Sequence, residues 1–145
     1  MRKILEVVSV KNNVIAVVAG VVVGSIVNSA IVNIGPSIFP LPEGADVSSM
    51  ESLAESMHLF TFWNYVPPFL AHALGTLAGA FLAVKLAASH YHRIALAIGA
   101  LFFLGGAYMA YMLGGSVIFI VVDLVCAYIP MAILGQRLAG GSPAD

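Results

Sequence analysis

Four stretches of this chain are long enough and apolar enough to cross a lipid bilayer, and that limits the fold more than any other feature. A hydrocarbon core about 30 Å thick is crossed by a helix of about 20 residues. Residues 12–35, 59–84 and 94–116 contain no Asp, Glu, Lys or Arg, and residues 117–136 contain one, Asp123. With 61% apolar and only 9% charged residues, there is too little charge to cover a water-facing surface, where about 25% is usual. The sequence predicts an all-α membrane protein, an antiparallel bundle of four transmembrane helices. The spans are placed at 12–35, 62–84, 94–113 and 117–136, within a single domain over 1–145.

Charge then orients the spans. Arg2, Lys3 and Lys11 precede the first, Lys85 and Arg93 flank the connection between the second and third, and Arg137 follows the fourth. All six basic residues fall on one side, which the positive-inside rule makes the cytoplasm, so both termini are expected there. The opposite loop, 36–60, carries Glu43, Asp46, Glu51 and Glu55 and no Lys or Arg. A net charge of −1 suggests no nucleic-acid partner. Cys126 is the only cysteine, which excludes a disulfide or a CxxC pair within one chain. The first span is expected to be retained rather than cleaved, since Asn28 stands before Ala30 where a cleavage site needs a small residue.

Small residues recur at four-residue spacing along the first two spans. Ala16, Gly20, Gly24 and Asn28 form one such row, and Ala71, Gly75, Gly79, Ala83 and Ala87 the other. In lipid, apolar surface gains nothing by leaving the tails, so association relies on close backbone approach, which GxxxG pairs such as Gly20/Gly24 and Gly75/Gly79 permit. These four glycines are the predicted helix-packing positions, within one chain or across a homo-oligomer. Between the two spans, Pro40 and Pro42 interrupt regular helix. A short amphipathic helix follows, with Ser48 and Glu51 at capping-box spacing and Met50, Leu53, Met57 and Phe60 on one face, lying on the outer membrane surface. Trp63 and Tyr65 sit where an aromatic belt marks the interface, and Pro67-Pro68 suits the first turn of the second span. Residues 1–11 read as an extension of the first helix anchored by snorkelling Lys and Arg.

The first span with the Pro40-x-Pro42-x-Gly44 segment, a short acidic helix, Leu74-Gly75-Thr76-Leu77-Ala78-Gly79 and the closing Gly135-Gln136-Arg137-Leu138 resembles a group of small, functionally uncharacterised bacterial inner-membrane proteins. The resemblance implies a four-helix architecture in a bacterial inner membrane, and it brings no activity or catalytic residue with it.

Depth along each helix singles out a polar layer. Counting about 1.5 Å per residue from the outer ends places Asn28, His72, Tyr108 and Asp123 each about 10 Å inward, one on each span. A carboxylate within a span costs about 2.5 to 3.5 kcal/mol on insertion scales and almost always faces a bundle interior, so Asp123 needs a partner. No Lys or Arg reaches that depth, which leaves His72, Tyr108, Asn28 and water. Thr76 lies one turn beyond His72 on the same face, Tyr128 lies beyond Asp123, and Pro130 is expected to bend the fourth helix and open a pocket beside Asp123.

Three functions fit such a layer. The leading one is structural, buried hydrogen bonds fixing helix register in an accessory or scaffolding protein, alone, as a homo-oligomer or within a larger membrane complex. The second is an outer-side pocket for a lipid or small molecule with Asp123 and His72 as its polar contacts. The third is a proton- or ion-coupled transport component, weakened by the apolar inner halves at 14–23 and 94–103. The sequence leans away from an enzyme. Ser25 and Ser29 have no nearby base, and no HExxH, phosphate-cradling loop or catalytic carboxylate pair occurs. No cofactor is called for, since haem held between helices needs two deep histidines and only His72 is deep. His90 and His92 read as a solvated loop rather than a metal site.

Overall fold

The computed structural model describes residues 2–141, with side chains from Ser9 onward; the anchoring role expected of Arg2 and Lys3 lies outside the described side chains. The order of elements is α1 (Arg2–Ile38), α2 (Met50–Ser56) continued by a 3-10 turn (Met57–Leu59), α3 (Phe62–Leu86), α4 (Tyr91–Leu113), α5 (Val117–Cys126) and α6 (Ile129–Leu138). Among the described residues there is no strand. Four stretches, Ser9–Ile38, Phe62–Leu86, Tyr91–Leu113 and Val117–Leu138, are long and apolar enough to span a membrane, the last made of α5 and α6 together. Where no water can serve the backbone, continuous helix is what keeps its N–H and C=O groups paired.

The helices meet through small residues. A Cβ built on Gly20 would lie 2.6 Å from the carbonyl oxygen of Gly79, and one on Gly24 would lie 2.7 Å from that of Gly75. Reciprocally, a Cβ on Gly75 would lie 2.8 Å from the Gly24 carbonyl oxygen and one on Gly79 would lie 2.7 Å from that of Gly20. These backbones touch, which no larger residue allows, and the pairings show α1 and α3 running in opposite directions. At one end of this crossing Asn13 ties α1 to the α3–α4 turn: its Oδ1 accepts from the Ala88 N–H at 2.9 Å and its Nδ2 donates to Ser89 Oγ at 3.1 Å. A Cβ on Gly135 of α6 would lie 2.6 Å from the Leu77 carbonyl oxygen of α3, and one on Gly99 of α4 would lie 2.9 Å from Ala132 Cβ. The resulting core of Ala80, Ala83, Ile94, Ala95, Ile98 and Ala132 is buried and wholly apolar.

Local starts and stops differ from the sequence reading in three places. The box that opens α2 is Ser49 with Ser52, one residue beyond the Ser48–Glu51 pair expected, because Asp46 Oδ1 already accepts from the Ser48 N–H at 2.8 Å. In α3 the Asn64 side chain accepts from the Thr61 N–H at 2.9 Å, which starts the helix at Phe62 and puts Pro67 and Pro68 in the second turn rather than the first. The fourth span is broken rather than bent: α5 ends at Cys126, Tyr128 adopts φ −114° and ψ −81°, and Pro130 lies in the first turn of α6. Pro130 has no N–H to return to the carbonyl of Cys126, so regular helix cannot pass through that point.

At the end of the bundle away from Asn13, α2 and its 3-10 turn pack over the α4–α5 connection. Gly115 sits against Met57, the Ser116 N–H donates to Tyr65 Oη at 3.2 Å, and the Tyr65 ring stacks on Phe119 with centroids 4.6 Å apart.

Candidate functional site

α5 is almost entirely turned outward. Val117, Ile118, Val121, Val122 and Val125 are all exposed, and its one buried residue is Asp123. Nδ1 of His72 on α3 lies 2.9 Å from both Oδ1 and Oδ2 of Asp123. The Tyr128 hydroxyl, at the start of α6, donates to Oδ2 at 2.8 Å. Where Asp123 is ionised it accepts from both neighbours, and Nδ1 of His72 then carries the proton. The carboxylate side chain is 5% exposed and the imidazole 23%. The Tyr128 ring stacks on His72 at 5.6 Å and takes Phe103 on its edge at 6.0 Å, and the residue is 1% exposed. Its hydroxyl rests directly against Gly106 of α4, where any side chain would collide with it.

The helix break is what makes this cluster possible. On a regular helix, side chains five residues apart point about 140° away from each other. The irregular backbone at Ala127 and Tyr128 turns the phenol back onto the carboxylate of its own span.

Of the residues singled out by depth, the structure joins His72 to Asp123 and leaves the others apart. Tyr108, expected in the layer, points outward at 61% exposure and makes no hydrogen bond among the described residues, because it faces away from the bundle at the right height. Asn28 packs on Gly75 with its Oδ1 buried and without a partner among the described residues, and the hydroxyl of Thr76, fully buried, has none there either. The role of Tyr128 was not legible from regular helix geometry. Nor was a second polar pair at the other end: His92, in the first turn of α4 rather than a solvated loop, lies with Nδ1 2.9 Å from Oε1 of the buried Gln136. His90 takes a left-handed conformation (φ 58°) in the turn before it, and its Nδ1 lies 2.8 Å from Ser89 Oγ. No group of three His, Cys, Asp or Glu able to hold a metal ion occurs among the described residues. Cys126 is an exposed free thiol on α5.

Compared with protein-family models, with curated proteins and with solved structures, the chain matches none.

Proposed function

We propose that this chain is a structural or accessory protein of a bacterial inner membrane, an antiparallel four-helix bundle with both termini in the cytoplasm and α2 lying on the outer surface. Its Asp123–His72–Tyr128 cluster fixes helix register, and the bundle serves as a scaffold alone, as a homo-oligomer or within a larger membrane complex. One observation carries this reading: α5 buries a single residue, and that residue is a carboxylate bonded to α3 and α6. In lipid the outward valines and isoleucines of α5 gain nothing by packing, so polar bonds and close contact are what hold the half-helix in place. The apolar core around Ile98 and Ala132 separates this cluster from the His92–Gln136 pair, which supports a structural role over a continuous transport path.

The test compares Asp123→Asn and Asp123→Leu in reconstituted bilayers. Asn retains an acceptor, so it is expected to fold and assemble as the parent does, whereas Leu is expected to destabilise the fold by about 1 to 3 kcal/mol in a detergent-unfolding titration. Proton flux into vesicles is measured on the same samples. A flux present in the parent and abolished by Asp123→Asn contradicts the structural role.

A further inference from the structure

His72 uses only one of its two ring nitrogens within the protein. Nδ1 is held by Asp123, while Nε2 has no hydrogen-bond partner among the described residues and does not belong to the buried unpartnered atoms, so it is open to the surroundings. The ring cannot swing away to satisfy it, being tied at Nδ1 and stacked on Tyr128. The exposed side chains of α5 near this level, Val121, Val122 and Val125, are apolar, with Val121 and Val125 about 160° around the helix from Asp123. An accessible, fixed nitrogen within a membrane span is a poor arrangement for a purely structural histidine, because an unmade hydrogen bond in hydrocarbon is costly.

We propose that His72 Nε2 is the binding point for a hydroxyl-headed amphiphile dissolved in the membrane, a long-chain phenol or alcohol whose apolar part lies among the lipid tails. The head group follows from the chemistry of the nitrogen. With Nδ1 protonated toward the carboxylate, the neutral ring offers Nε2 as an acceptor, whereas the imidazolium offers it as a donor. A hydroxyl pairs with both, giving its proton to the first and its oxygen to the second. A carbonyl serves only the imidazolium. No covalent step is involved. Asp123 acts as a positioning residue that fixes which nitrogen faces the ligand. The proposal rests on the Asp123–His72 pair of the structural reading and adds a ligand to it.

The experiment uses the full chain with uniformly 13C,15N-labelled histidine in nanodiscs of phosphatidylethanolamine and phosphatidylglycerol. Ala71-His72 is the only Ala-His step in the sequence, so carbonyl-labelled alanine assigns His72 without any substitution. Titration with para-octylphenol is expected to move the Nε2 resonance of His72 saturably while Nδ1 keeps its hydrogen-bonded position. Octylbenzene, which lacks the hydroxyl, is expected to move neither. In Asp123→Asn the phenol is expected to bind about tenfold more weakly, the loss of one charge-assisted contact. The proposal is overturned by an Nε2 resonance that does not respond, by an equal response to octylbenzene, or by an Nε2 shift that follows the protein-to-lipid ratio without phenol, which would assign the nitrogen to a second copy of the chain. An Nδ1 resonance typical of an unpaired ring would overturn the Asp123–His72 pair itself, a result distinct from absence of ligand binding.

Discussion

Asp123 brings a carboxylate into a helix that buries nothing else, and its two hydrogen-bond partners do not contribute alike. Tyr128→Phe removes the hydroxyl donor but keeps the ring against His72 and Phe103, so it isolates the bond from the packing. The expected loss is about 0.5 to 2 kcal/mol in detergent unfolding, since bonds of this kind in membrane bundles rarely exceed the upper figure. Thr76 should behave in the opposite sense. Its buried hydroxyl has no partner among the described residues, so Thr76→Val, with nearly the same shape, is expected to be neutral or to stabilise by up to about 1 kcal/mol in the same titration; a clear destabilisation would reveal a partner for that hydroxyl. In the loop between α1 and α2, the Ser48 N–H holds the Asp46 carboxyl below its ordinary value, with side-chain bonds from Ser48 and Ser52 adding to it. A lowered folded value means the contribution is fully present above the ordinary carboxylate pKa of about 3.9 and is lost as pH falls through the folded value. Exchange of the Ser48 amide hydrogen is therefore expected to keep its protection between pH 5 and 8, as approximate bounds, and to lose it only on strong acidification.

At the scale of helices, contact between backbones sets the tolerance for added atoms. Gly20→Ala and Gly24→Ala each push a methyl into a facing carbonyl oxygen and are expected to destabilise by about 1 to 3 kcal/mol. Gly105→Ala on α4 meets nothing within 4 Å and is expected to be neutral or mildly stabilising, so the three variants separate crossing geometry from helix propensity. The four spans were legible because three bilayer-length stretches carry no charge and the fourth carries only Asp123, a pattern suited to lipid. Element starts were less legible. Ser48 and Ser49 are equally good caps by type, and only the Asp46 bond to Ser48 decides between them. Counting residues gives a height within the membrane but not a direction around the helix. That is why Tyr108 shared a level with Asp123 yet faces outward, and why Tyr128, misplaced by regular helix geometry, proves to be a direct partner once the break before Pro130 is seen.

For the whole molecule, the spacing of basic residues makes a topological claim that thiol labelling can check. In a chain with Cys126 replaced by Ala, a cysteine at Glu51 is expected to react with an impermeant reagent added to intact cells, and one at His90 only after the membrane is opened. The reverse pattern would invert the bundle. The central claim, that buried polar bonds anchor α5 to the other helices, meets its most direct test in a carbon–nitrogen dipolar-recoupling measurement in hydrated bilayers between the Asp123 carboxyl carbon and His72 Nδ1. The account predicts the strong coupling of a hydrogen-bonded pair, in keeping with the 2.9 Å separation of Nδ1 from the carboxylate oxygens. Absence of that coupling, with the carboxyl group in contact with acyl-chain protons instead, would contradict it.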